Sequence, residues 1–148
     1  AETTTEAPAE TPAAESDAVP TECRGIRIFQ GTPLVDRKSK FIAFAARVAT
    51  EDEVAAVFAE LLKNKRIAAA THNMTAYRLV RGGAVACDFD DDGEHAAGKE
   101  LLRLLEQVGA ADVCVMVSRW WGGILLGPVR FKHIVGCARA VLAENGLI

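Results

Sequence analysis

Paired cysteines are missing from this chain. Its four cysteines, Cys23, Cys87, Cys114 and Cys137, stand far apart and form no C-x-x-C, so neither a zinc ribbon nor a dithiol redox motif is encoded. Cys114 and Cys137 lie among apolar neighbours and read as small core residues. Lysine and arginine are missing from residues 1–22, which instead hold Glu2, Glu6, Glu10, Glu15, Asp17 and Glu22. The same stretch has no aromatic residue and almost no large aliphatic one; Ala, Thr, Pro and Glu dominate it. It cannot bury enough apolar surface to offset its ordering entropy, so residues 1–22 are expected to be a disordered acidic tail or linker. A basic start and an apolar core are both lacking, so it does not read as a secretory leader. No apolar run approaches the ~20 residues of a membrane helix. The expectation is a reducing, cytoplasmic setting without membrane contact.

Catalytic signatures are missing too. There is no G-x-S-x-G, no Walker loop, no dinucleotide glycine fingerprint, and no zinc spacing among the three histidines and four cysteines. No cofactor is expected.

Residues 23–148 are enough chain for one domain. They hold 17 basic and 14 acidic side chains, a mildly basic balance that permits RNA contact without requiring it. Arg24–Gln30 predicts a strand, broken by Gly31-Thr32-Pro33, and Lys40–Val48 a second. Thr50 with Glu53 has the form of a capping box, and Val54, Val57, Phe58, Leu61 and Leu62 give the helical stripe behind it. His72–Val80 and Ala84–Asp88 flank a glycine turn and predict a hairpin. A second helix is expected from about Glu94 to Val108, capped by Asp91 with Glu94 and stopped by Gly109. Asp112–Ser118 is a continuous apolar strand of the kind buried on both faces. Pro128 opens a last helix to about Asn145. The order ββαββαβα predicts an α+β two-layer sandwich, a mainly antiparallel or mixed sheet with helices on one face. The hairpin, second helix and Asp112–Ser118 are expected to form a right-handed βαβ unit.

Three segments carry candidate chemistry. The first is Ser118-Arg119-Trp120-Trp121-Gly122-Gly123-Ile124-Leu125-Leu126-Gly127-Pro128, followed by Arg130, Lys132 and His133; both tryptophans of the chain are in it. Paired glycines such as Gly122 and Gly123 permit a sharp turn or a close backbone approach. Arginine beside tryptophan suits a phosphate, a base or another protein's carboxylate, and these residue types anchor protein interfaces. A competing reading is internal: Arg119 pairs with the acids of Asp90–Glu94 and locks helix to strand. The second segment is Thr71–Arg78. Alternation puts His72, Met74, Ala76 and Arg78 on one face and Asn73, Thr75 and Tyr77 on the other, a polar row suited either to bases or simply to solvent. His72 as a general base lacks a partner nucleophile. In the third, Asp88-Phe89-Asp90-Asp91-Asp92-Gly93, the residues Asp88, Asp90 and Asp92 match the opening of a calcium loop. Its twelfth position is Lys99 rather than glutamate, and no helix is predicted before it, so an acidic helix N-terminus competes with metal binding.

Ser39-Lys40-Phe41-Ile42-Ala43, His72-Asn73-x-x-Ala76-Tyr77-Arg78, Asp91-Asp92-Gly93-Glu94-x-Ala96-Ala97-Gly98 and Ser118-Arg119-Trp120-x-Gly122-Gly123-x-x-Leu126-Gly127-Pro128-x-Arg130-Phe131-Lys132-His133 together resemble the IMPACT family. The resemblance covers about residues 23–146, and Phe131-Lys132-His133 with Cys137-Ala138-Arg139 is similar to its eukaryotic branch. It implies a fold like the second domain of small-subunit ribosomal protein five and domain four of elongation factor G. It also implies a regulator of translation that restrains the amino-acid-starvation kinase of initiation factor two. Such proteins compete for the kinase's ribosome-associated co-activator, and some bind actin. The N-terminal RWD domain of those relatives is not represented in this sequence.

Two functional readings compete. One is a non-enzymatic module that binds protein, and RNA or ribosome, through Asn73, Tyr77, Arg78, Arg119, Trp120, Gly122, Gly123, Arg130 and Lys132. Arg119→Ala with Trp120→Ala is then expected to abolish binding and leave the fold intact. The other is a metal-assisted enzyme acting on a nucleotide or RNA phosphate, with the Asp90–Glu94 carboxylates holding the ion.

Overall fold

In the computed structural model, which describes residues 18–148, the chain lays down β1 (Glu22–Cys23), β2 (Ile26–Gln30), β3 (Leu34–Asp36) and β4 (Ser39–Arg47) before its first helix. Helix α1 (Glu51–Leu62) and the single turn α2 (Lys65–Ala68) come next, then the hairpin β5 (His72–Arg81) and β6 (Ala84–Asp90). Helix α3 (Ala97–Gln107), β7 (Val113–Trp120) and α4 (Val129–Glu144) complete it. Most of the expected acidic tail, residues 1–17, lies outside the described residues; Glu22, placed in it, forms β1 with Cys23.

Every strand pairing is antiparallel, in the order β1-β2-β4-β7-β5-β6, with β3 also paired to β4. The α+β class and the antiparallel sheet are as expected. The helices do not share one face, however. Phe41, Ala43 and Ala45 of β4, Val113, Val115 and Val117 of β7, and Met74 and Ala76 of β5 pack under α3 and α4. The alternate residues, Ile42, Phe44 and Ala46 of β4 with Cys114 and Met116 of β7, pack under α1 and α2. The reason is visible in the chain: β4 and β7 are apolar at consecutive positions, so both faces need cover. Fully burying one side chain such as Phe41 or Phe44 contributes about 1.5–3 kcal/mol.

The expected βαβ unit is split. β6 and β7 run parallel, but β5 lies between them. β4 and β5 are likewise parallel across β7. Strand direction and crossing direction both reverse between these two connections. Lying on opposite faces therefore gives them opposite hands, and one departs from the usual right-handed rule.

Local signals explain most boundaries. Thr50 Oγ1 accepts the Glu53 N–H at 3.1 Å, and Glu53 Oε1 accepts the Ala49 N–H at 2.6 Å, so α1 starts where its capping box says. Helix α3 starts three residues later than expected, because Ala96 sits at φ +69. Asp91 still caps it from outside, accepting the N–H groups of Ala96 and Gly98. At Gly98 the helix presses on β6: a Cβ there would lie 2.7 Å from the Asp90 carbonyl. The four cysteines are unpaired, and burial pushes the Cys114 thiol up to about 12.

Candidate functional site

Pairing register fixes where the Arg119 side chain goes. Val115 and Val117 of β7 face α3 and α4, so Arg119 faces them too, with Phe41 and His72 as its cross-strand neighbours. It is only 4% exposed. A cation so placed must find a counter-charge, and it finds Glu94, itself 7% exposed, on the turn leading into α3. Arg119 Nη1 meets Glu94 Oε2 at 2.6 Å, and Arg130 Nε meets Glu94 Oε1 at 3.1 Å. One carboxylate thus joins the end of β7, the entry to α3 and the first turn of α4. Phe41 and Trp121 lie on the Arg119 guanidinium at 5.4 and 5.5 Å, and Arg119 Nε, buried, has no hydrogen-bond partner.

Above this bridge opens a cleft of about 360 Å³ lined by Thr71, His72, Trp121, Leu125 and Gly127 together with the three charged groups. Its volume is in the range that admits a small ligand or a few partner side chains. His72 Nδ1 lies 2.8 Å from the Asp92 carbonyl. A carbonyl only accepts, so Nδ1 is the donor in this bond. The lip is apolar: Trp121 and Ile124 are exposed, and Leu125 is 83% exposed. The lip is held by Gly122, whose added Cβ would fall 2.1 Å from the Lys38 carbonyl carbon, and by Gly123 at φ +91. Ser39 Oγ accepts the Gly122 N–H at 3.2 Å, and Thr71 Oγ1 accepts that of Trp121 at 2.9 Å. Beside it, Asp36 Oδ2 meets His133 Nε2 at 2.7 Å; Arg37 and then His133 hold the Asp36 carboxyl below its usual range.

The sequence-predicted residues do not form one surface. Arg119, Gly122, Gly123 and Arg130 meet at this end of the sheet. Trp120, the next residue along β7, turns to the α1 face, where its Nε1–H is donated to the Arg66 carbonyl at 3.1 Å and Lys40 lies over its ring. Asn73 is on that face as well. It donates to the Ile67 carbonyl at 2.8 Å and accepts from Ser118 Oγ at 2.5 Å, tying α2 to the sheet. Tyr77 donates to Glu51 Oε2 at 2.6 Å, and Arg78 to the Ala110 carbonyl. Lys132 is exposed on α4. Arg119→Ala is expected to cost stability as well as any binding, because it empties a buried position and leaves the buried Glu94 with Arg130 alone.

The aspartates are occupied by backbone. Asp88 accepts the Phe89 N–H, Asp90 that of Asp92, and Asp92 that of Asn73. Among the described residues no group of three or more His, Cys, Asp or Glu is placed to hold a metal ion, and a strand rather than a helix precedes the loop. No described helix is long and apolar enough to cross a membrane.

The family model for the Impact N-terminal domain matches residues 37–142. This chain belongs to the IMPACT family. It is 51% identical over 120 residues to Protein IMPACT of Rattus norvegicus and 50% identical to that of Homo sapiens, matches that cover 80% of this chain and 38% of each relative. The chain thus spans about two fifths of the length of these relatives. Among solved structures it is similar to the two-domain translational regulator Yih1, with a TM-score of 0.60 and 37% identity over 92% of this chain and 53% of that one. A hypothetical protein of solved structure gives a TM-score of 0.66 at 26% identity, over 79% of this chain and 61% of its own.

Sequence reasoning pairs Arg119 with the Asp90–Glu94 acids as one alternative but misses Glu94 as the hub and Leu125 as the lip. The signal is in the strand parity: an arginine two residues beyond Val117 on a doubly buried strand needs a buried acid.

Proposed function

We propose that this chain is a non-enzymatic binding module of cytoplasmic translational control. It restrains the starvation-activated kinase of initiation factor two by occupying the kinase's ribosome-associated co-activator. The observation that supports a binding role best is the exposed Trp121–Leu125 lip over the Arg119–Glu94–Arg130 bridge. It presents an apolar anchor beside a net positive charge on a rigid base, the combination that carries binding energy at protein interfaces. A partner segment of acidic and apolar residues fits it.

The test measures co-activator binding by calorimetry, with Trp121→Ala/Leu125→Asp as the variant and Lys63→Ala, at the C-cap of α1, as the control. Leu125 is exposed and Trp121 about half exposed, and a thermal melt run alongside verifies that the variant is folded. At least about a tenfold loss, or 1.4 kcal/mol, is expected for the lip variant and none for the control. Undiminished binding by the folded lip variant rejects this site. The same titration against ribosomes and actin separates the partners, and a steep loss with salt marks phosphate contact.

A further inference from the structure

The outer edge of β6 is the one long strand edge among the described residues with no neighbour: β5 pairs its inner side, and nothing pairs the other. All seven residues are exposed. Of the usual guards of an open edge the strand has no proline, lysine or bulge; its charges are Asp88 and Asp90, at one end.

Gly82 and Gly83 make a two-residue turn, with Gly82 at φ +59 as a type II′ turn requires. Arg81 and Ala84 flank that turn and form its hydrogen-bonded pair. Alternation then turns the N–H and C=O groups of Ala84, Ala86, Asp88 and Asp90 inward, and those of Val85, Cys87 and Phe89 outward. Two contacts agree. The Val80 N–H, opposite Val85, points away from β6 to Asp112 Oδ1 at 3.0 Å. The Phe89 N–H is met only by its neighbour's Asp88 Oδ1 at 2.8 Å.

We propose that this edge pairs with the same edge of a second copy, antiparallel about a two-fold axis at Cys87. Three features select that register. It overlaps the full strand, and every outward residue meets an outward one: Val85 with Phe89 of the second copy, Cys87 with Cys87. The half-exposed apolar side chains, Val85 at 50% and Phe89 at 40%, then cover each other on the α3 side. On the other side Asp88 falls opposite Ala86, and Asp90 opposite Ala84, so no like charges are directly opposed. Moving the axis to Asp88 would set Asp88 against Asp88 and shorten the overlap. The contact is isologous and closes, joining two sheets into one.

Sedimentation equilibrium of the chain across micromolar to millimolar concentrations tests it. The weight-average mass is expected to rise from one chain toward two. Cys87→Lys, which opposes two cations at an exposed position, is expected to remain monomeric with an unchanged melting temperature. Register is read on a Cys87→Ser background by oxidation with diamide, which takes up the two electrons and two protons of the thiol pair. In this register Val85→Cys of one chain faces Phe89→Cys of another at a Cα separation of about 5.5 Å. Each variant with itself is separated by about 13 Å along the strand. The mixture is therefore expected to cross-link at least about tenfold faster than either variant alone. A monomer at every concentration overturns the proposal and leaves the edge to a strand of another protein. A dimer that survives Cys87→Lys, or cross-linking indifferent to register, overturns it as well.

Discussion

Arg119 and Glu94 meet at 2.6 Å with both side chains at least nine-tenths buried. Neither charge is tolerable there alone. Breaking a buried pair by removing one partner costs about 3–5 kcal/mol, whereas an apolar pair of similar volume is often neutral. Glu94→Gln is expected to lower stability by that amount, because Arg119 and Arg130 lose their common counter-charge. Glu94→Leu alone should cost about as much, Arg119→Met alone less because Glu94 keeps Arg130, and Glu94→Leu/Arg119→Met less than the sum of those two. Urea unfolding of the single and double variants measures the cycle; additive losses would show that the bridge does not couple the two residues.

Gly122 controls the lip by a steric route. Its missing Cβ leaves room for the Lys38 carbonyl, which would otherwise stand 2.3 Å away. Backbone cannot give way as a flexible side chain does, so Gly122→Ala must push the β3–β4 turn from the loop after β7. The expected loss is about 1–3 kcal/mol, with a displaced Trp121. Tryptophan fluorescence together with thermal melting checks this; an unchanged Tm would show that the turn moves freely.

The sequence makes some features plain and hides others for physical reasons. β7 and the Thr50–Glu53 cap are legible because a continuous apolar run and a capping box each specify one local structure. The sidedness of β5 is legible from alternation alone. The short strands β1 and β3 are not, since two or three residues carry no period. The second helical face is easily overlooked although β4 contains it: consecutive buried residues from Phe41 to Ala46 demand cover on both sides. At the site, neighbours in sequence are not neighbours in space. Arg119 and Trp120 are adjacent in β7, and strand parity sends them to opposite faces of the sheet.

Acid sensitivity is expected at Asp112. The Val80 N–H, and then Arg81 at 2.8 Å, hold its carboxyl below the ordinary 3.8. A carboxylate whose folded pKa is depressed stabilises the fold fully above its unfolded pKa. That contribution disappears as pH falls below 3.8 and through the folded value. Asp112→Asn should therefore be less stable than the native chain at neutral pH, with the gap narrowing steadily below pH 3.8. Urea midpoints at several pH values give the comparison. A gap that stays constant would mean the carboxylate's charge is not what Val80 and Arg81 hold.

Tyr77 is the chain's one tyrosine, so its ionisation can be followed alone by ultraviolet absorbance. Its hydroxyl donates to Glu51 Oε2 at 2.6 Å. Losing that proton would set a phenolate against a carboxylate, and the bond to Glu51 pushes the Tyr77 pKa up to about 12 from 10.0. The neutral phenol is the form that the fold prefers. Its stabilisation is whole below pH 10 and is lost as pH rises through the folded value. Glu51→Gln should bring the titration midpoint down toward 10 and flatten the alkaline limb of stability, since an amide accepts the bond without repelling the phenolate. A native midpoint near 10 would mean that Tyr77 and Glu51 are apart in solution, and that α1 is not fastened to β5 at this point.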